Sequence, residues 1–266
     1  MNRNRYLALV LFVIGMVGMG LLQVVYHDFA FTWQPVPDSL PARGAIAIIS
    51  GLVIIAASLA LLVQATQTIA IRIIFPILVI WQLLKVPSVI AAPGMEAVWL
   101  GYGEIAVLLA GGWVLFARLS NLDGSAFFKH ITGDRGVRIA TIYFAIALLP
   151  IGLSHIMYAG ITASFVPAWM PFRTAWAYIT GFGQMACGLG VLFSVLPRLA
   201  AMIETAMLAI FAFFVWGPQT WFSSTPVMPN MPPGIRLPLT AFLITWVIGA
   251  SAFIVAVNMV PKRKVG

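Results

Sequence analysis

Residues 20–62 read GLLQVVYHDFAFTWQPVPDSLPARGAIAIISGLVIIAASLALL, and residues 152–192 read GLSHIMYAGITASFVPAWMPFRTAWAYITGFGQMACGLGVL. The two stretches share an order of residue types, with one two-residue gap: Gly20, Tyr26, Pro35, Pro41, Arg43 and Gly51 match Gly152, Tyr158, Pro167, Pro171, Arg173 and Gly181. Apolar residues coincide by chance in membrane segments, whereas matched Tyr, Pro, Arg and Gly positions carry more weight. The sequence therefore predicts an internal duplication.

The composition indicates a membrane protein. Of the 266 residues, 62% are hydrophobic and 8% are charged, whereas soluble domains carry about 25% charged residues. Apolar runs of about 20 residues cross a bilayer, and we predict eight of them: 6–26, 43–64, 69–90, 96–118, 138–158, 172–194, 198–218 and 237–260. The runs are continuously apolar rather than alternating, which favours helices over the strands of a barrel.

The predicted fold class is an all-α membrane protein with eight transmembrane helices, arranged as two parallel four-helix repeats. An even number of spans in the first unit brings the second unit into the membrane in the same orientation. We place the first unit at residues 1–118 and the second at 138–266. Residues 119–137, the most polar segment, form the predicted cytoplasmic linker.

The net charge of +8 raises the question of a nucleic-acid partner. The basic residues instead gather on one side of the predicted topology: Arg3, Arg5, Arg118, Lys129, Arg135, Arg138, Arg198 and Lys262, Arg263 and Lys264. This distribution is typical of the positive-inside rule. It predicts cytoplasmic termini and a lipid bilayer as the main partner, with no nucleic acid.

The second half resembles a known family. Its elements are Gly152 to His155, Tyr158, the Val166–Pro171 stretch, the aromatic Trp176–Gly181 segment, a glycine-rich helix and the turn Leu196–Ala201. In this order they resemble the DoxX-like integral membrane proteins, whose four-helix units carry a proline-rich loop after the first helix. The resemblance covers about 152–218 and extends to 20–90 through the repeat alone. It implies a multi-pass protein of the bacterial plasma (inner) membrane.

The resemblance also implies a redox-associated role. Some DoxX-like proteins are linked to thiosulfate:quinone oxidoreductase or terminal oxidase assemblies, and others to thiol-based oxidative-stress complexes. The implied ligand is a quinone or another lipid-like small molecule, and the implied partner is a redox protein. This chain departs from a thiol enzyme because it has a single cysteine, Cys187. We find no metal-binding motif in the sequence, and the cofactor stays open.

Ionisable residues within predicted spans are candidate functional groups, because charge is costly in a bilayer. Glu104 lies inside the fourth span, as a proton-carrying or ligand-orienting acid or as a hydrogen-bonded interior group. His155, Tyr158, Trp169 and Arg173 are expected near one outer membrane surface. They suit a quinone ring or an anionic headgroup. The alternative is an ordinary interfacial belt of aromatic residues and arginine.

Three functional hypotheses follow. The first is a redox-associated membrane subunit that binds a quinone, a lipid-like small molecule or a partner protein. The second is a quinone-linked sulfur-compound oxidoreductase, so whether the chain is an enzyme stays open. The third is a transporter or channel for a small solute, which the repeats and Glu104 would fit.

Overall fold

The computed structural model describes residues 2–222 and 234–260. The long helices are α1 (Arg3–Tyr26), α2 (Arg43–Ala60), α3 (Gln67–Ala91), α4 (Glu96–Leu119), α5 (Gly133–Met157), α7 (Arg173–Leu192), α8 (Pro197–Ile210) and α10 (Arg236–Asn258). The shorter elements are a 3-10 turn (Phe31–Trp33), α6 (Ala159–Phe165), a π-helical stretch (Phe211–Trp216) and α9 (Gly217–Phe222). The predicted basic residues Lys262, Arg263 and Lys264 lie outside the described residues.

Each predicted span coincides with a helix, but the ends differ. Residues 61–64, predicted to continue α2, form turns and a bend instead. Just after them, the Thr66 hydroxyl donates to the Ala60 carbonyl at 2.7 Å. Helix α5 begins at Gly133, within the predicted linker, because Thr132 is extended and ends the loop there. The span predicted at 198–218 runs through α8 and the π-helical stretch into α9. Local hydrogen bonding, rather than hydropathy, sets these ends.

Seven described helical segments are long and apolar enough to cross a membrane, as expected for an all-helical, multi-pass membrane protein. Helix α7, predicted as a further span, is not among them. It is 20 residues long, but it begins at Arg173 and contains Thr174, Thr180, Gln184 and four glycines, all of which lower its hydropathy.

The long helices pack side by side in a closed ring. Each helix contacts the next one in the order α1, α2, α3, α4, α5, α7, α8 and α10, and α10 also contacts α1. Helices α4 and α10 also pack against each other across the middle, where Gly111 lies directly against Ser251. In the most apolar stretch of each of these two helices, 72% is buried, against 22–56% in the other candidate spans. They form the centre of the bundle.

Arginines from three helices anchor the C-terminal end of α10. Arg5 donates to the carbonyl of Val257, Arg118 to that of Asn258 and Arg198 to that of Met259, at 3.2–3.3 Å. The last carbonyls of a helix have no partner within the helix, and their partial negative charge attracts cations. Charged residues from α1, α4 and α8 therefore hold the central helix at this end of the bundle.

Glycines set two of the close helix contacts. A Cβ on Gly20 of α1 would lie 2.7 Å from the carbonyl oxygen of Gly51 on α2. On α5 and α7 the same arrangement recurs, because a Cβ on Gly152 would lie 2.5 Å from the carbonyl oxygen of Gly181. Only glycine allows backbones to approach this closely.

Candidate functional site

A groove of about 560 Å³ runs between α4 and α5. Helices α4 and α5 approach closely at Gly103, where a Cβ would lie 2.7 Å from the Ala147 carbonyl oxygen. The lining residues on α5 run from Tyr143 to Met157, which spans about 20 Å at 1.5 Å per residue.

The groove walls are mainly apolar. Ile146, Leu153 and Met157 of α5 line it and are 50%, 39% and 57% exposed. Met185 of α7 also borders it. Large apolar side chains exposed in a concave surface are typical of sites for apolar ligands.

Three polar side chains face this groove. Glu96, at the start of α4, is 7% exposed, and neither carboxyl oxygen has a hydrogen-bond partner among the described residues. Deeper along the groove, the hydroxyls of Tyr102 and Tyr143 lie 3.4 Å apart. Buried polar groups are normally hydrogen-bonded, so an unpartnered carboxyl group beside an apolar groove indicates a place for a ligand group.

Trp99 lies one turn after Glu96 and packs edge-on against Tyr102, with ring centroids 6.0 Å apart. Its indole N–H donates to the Pro93 carbonyl at 2.8 Å, which fixes the ring near the α4 start. An aromatic pair on one helix face follows from the three-residue spacing. It gives the groove a flat surface next to Glu96.

Of the residues predicted to form an outer cluster, His155 and Arg173 are held by partners outside the cluster. The Nδ1 atom of His155 forms a hydrogen bond with the Thr180 hydroxyl at 3.0 Å. The centroid of its ring lies 5.7 Å from that of Phe211. Trp169 is 75% exposed. No hydrogen bond, ion pair or ring contact joins His155, Tyr158, Trp169 and Arg173 in the described part of the chain. Their role in ligand binding stays a prediction.

Arg173 nevertheless differs from its counterpart in the first half. Arg43 forms ion pairs with Asp28, at 2.8 Å, and with Asp38. The Arg173 guanidinium donates to the Ser164 carbonyl at 2.9 Å, and its buried Nε has no partner among the described residues. One half thus carries a neutralised arginine at this position, whereas the other carries an arginine held by a backbone carbonyl.

Glu104 lies on the other face of α4, away from the groove lining. Its carboxylate accepts from the Trp33 indole N–H at 2.8 Å, and Lys85 of α3 donates to the Thr32 carbonyl at 2.5 Å. An acid and a base within the bundle therefore both hold the 3-10 turn Phe31–Trp33. The predicted alternative of a hydrogen-bonded interior acid agrees with this geometry.

Sequence reasoning missed the groove. Glu96, Tyr102 and Tyr143 were not among the predicted site residues. The available signal was the Glu96, Trp99 and Tyr102 spacing, which places these side chains along one face of α4. No comparable signal joins Tyr143 to them, because it comes from another helix.

A family model described as Domain of unknown function (DUF8561) matches residues 144–251, less than half of the chain. No curated protein and no solved structure matches the chain. The matched region begins in the groove-lining part of α5 and ends within α10, so it is similar to this family over most of the second half.

Proposed function

We propose that this chain is a multi-pass membrane protein that takes a lipid-like small molecule, such as a quinone, from the bilayer into the groove between α4 and α5. The observation that carries the proposal is Glu96, a buried carboxyl group at the end of an apolar groove that has no hydrogen-bond partner among the described residues. The redox-associated role and the DoxX-like membership belong to the same proposal. So do the bacterial inner membrane and the cytoplasmic termini.

The proposed architecture is two tandem four-helix units with eight spans in total. Support comes from paired local geometries in the two halves. Gly20 contacts Gly51 as Gly152 contacts Gly181. Ala42 and Phe172, with φ of 54° and 55°, immediately precede Arg43 and Arg173 at the starts of α2 and α7. Residues other than glycine seldom adopt the left-handed backbone conformation. Its recurrence just before the two matched arginines favours a common origin of the two halves.

The groove's polar groups suit a quinone head. Quinone carbonyls accept hydrogen bonds, which the Tyr102 and Tyr143 hydroxyls can donate. Quinol hydroxyls donate hydrogen bonds, which the Glu96 carboxylate can accept. Trp99 offers a face for ring packing, and the apolar walls from Ile146 to Met157 suit an isoprenoid tail. The ring and tail would thus follow the polar and apolar parts of the same groove.

The test is native mass spectrometry of the protein in mild detergent, together with quinone and lipid extraction from the same sample. We expect a stoichiometric bound quinone or other lipid-like molecule in the wild type. A groove-filled variant, Ile146→Trp with Leu153→Trp, is expected to lose it. Both positions are exposed on the groove wall, so added bulk enters the groove rather than the core.

The matched control is Ile80→Trp with Leu83→Trp, which adds the same bulk at positions on α3 that are 54% and 60% exposed and lie outside the groove. This variant should retain the bound molecule. Glu96→Gln should weaken retention while leaving the thermal unfolding temperature close to that of the wild type. An unchanged amount of ligand in the groove-filled variant, or a ligand-free wild type, would refute the proposal.

A further inference from the structure

A second cavity, of about 700 Å³, lies at the other end of α5 from the groove. It is bordered by the first turns of α5, the turn between α7 and α8, and the residues after α10. We propose that it binds an anionic phospholipid, whose phosphodiester lies between Arg138 and Arg198. This inference does not rest on the proposed quinone groove, because none of the same residues line the two cavities.

The charge of this cavity is positive. Arg138 and Arg198 both line it, and the described lining residues include no aspartate or glutamate. One guanidinium nitrogen of Arg198 donates to the Met259 carbonyl at 3.2 Å, which fixes the side chain over the end of α10. Arginine donates several N–H groups in a planar fork that suits phosphate oxygens. A phosphodiester would neutralise a site that is otherwise purely cationic.

The backbone adds to this attraction. Helix α8 begins at Pro197, and its N-cap residue, Leu196, has no side chain that can accept from the first-turn N–H groups. Pro197, Arg198 and Leu199 of that first turn line the cavity. Uncapped N–H groups and the positive end of the helix dipole bind anions. The side-chain and backbone donors therefore converge on one cavity.

The walls favour a lipid over a free phosphate ion. Ile142, Leu196 and Leu199 line the cavity and are 49%, 68% and 53% exposed. Beside the arginines, Thr141 and Ser194 supply hydroxyl groups. A free phosphate would leave these apolar side chains uncovered, whereas acyl chains would cover them. The combination of cationic donors and apolar walls is that of a phospholipid headgroup site between transmembrane helices.

The test compares two lipids with identical acyl chains, phosphatidylglycerol and phosphatidylcholine, added to the purified full-length protein in detergent. Native mass spectrometry measures lipid retention, and thermal unfolding reports on the fold. We expect stronger retention of phosphatidylglycerol by the wild type. Arg138→Gln or Arg198→Gln should lower its affinity about fivefold, and the double variant about thirtyfold.

Arg135→Gln is the matched control, because Arg135 is an exposed arginine on the same helix that does not line the cavity. It should bind phosphatidylglycerol as the wild type does. Since Arg198 also anchors α10, Arg138→Gln alone tests the site if the double variant fails to fold. Equal retention of the two lipids by the wild type would overturn the proposal. So would undiminished phosphatidylglycerol binding by Arg138→Gln, or displacement of the lipid by equimolar inorganic phosphate.

Discussion

Replacing Asp28 with asparagine should weaken the ion pairs that join the ends of three helices. Asp28 follows α1, and its carboxylate forms ion pairs with Arg43 at the start of α2 and with Arg236 at the start of α10, at 2.8 and 2.9 Å. Arg236 also stacks over Tyr26 and Phe31, 5.0 and 4.3 Å from the ring centroids. Asparagine keeps the shape of the side chain and removes the charge that holds both arginines.

The environment of Asp28 lowers its pKa. Burial by itself raises the pKa of this carboxyl group. The hydrogen bond from Arg236, the Phe29 backbone N–H and the charges of Arg43 and Arg236 together outweigh burial, so the pKa falls below the ordinary value of 3.8. A depressed pKa in the folded protein means that the stabilisation is complete above the unfolded pKa. It is lost as the pH falls through the lower, folded value.

Asp28→Asn should lower the free energy of unfolding by about 1–2 kcal/mol at neutral pH. The three side chains are 21–32% exposed. A fully exposed ion pair contributes about 0.2–1 kcal/mol, and a hydrogen bond to a buried charged group contributes more. Each ion pair of Asp28 should contribute an amount between these two. Arg43 also keeps its pairing with the exposed Asp38. A loss of this size lowers the unfolding temperature by about 2–8 °C.

The assay is thermal unfolding in detergent at pH 7 and at pH 3. Asp28→Asn should be less stable than the wild type at pH 7. The difference should shrink at pH 3, which lies below the carboxyl group's ordinary pKa of 3.8, because protonation there favours the unfolded chain. Asp123→Asn, at an exposed loop position, is the control and should match the wild type at both values. Equal unfolding temperatures at pH 7, or a difference that is the same at both pH values, would refute this reasoning.

Three further substitutions test the contacts between helices. Gly20→Ala and Gly152→Ala should each destabilise the protein by about 1–3 kcal/mol in thermal unfolding, because the new Cβ meets a backbone carbonyl on the facing helix. The control is Gly160→Ala, because a Cβ at Gly160 would meet open space. A Gly152→Ala variant as stable as the wild type would show that the helices are not held at this distance. Arg118→Gln should remove the hydrogen bond to the Asn258 carbonyl and the pairing with Asp134 at 2.7 Å, with a loss of about 1 kcal/mol and faster hydrogen exchange at the end of α10; exchange unchanged from that of Arg135→Gln would contradict the anchoring role.

The positions of the helices could be predicted from the sequence. Every predicted span overlaps an observed helix, and the starts of α2, α4 and α10 fall within one residue of the predicted ones. Hydropathy carries this information because each backbone polar group in hydrocarbon must be satisfied within its own segment. The ends that shifted, at residues 61–64 and at Gly133, are set by individual side chains and turns, to which average hydropathy is insensitive.

The sequence by itself thus determined an all-helical membrane protein, the helix positions and the matched Gly and Arg pattern of the two halves. Only the tertiary structure decided which helix faces meet. It brought Tyr143 of α5 to Tyr102 of α4, turned Glu104 toward Trp33, and paired His155 with Thr180 rather than with Arg173. The physical reason is that these helices are apolar on nearly every side, so the amphipathic pattern that would reveal a buried face in a soluble protein is weak here. Close packing at glycines and a few polar contacts choose the partners instead.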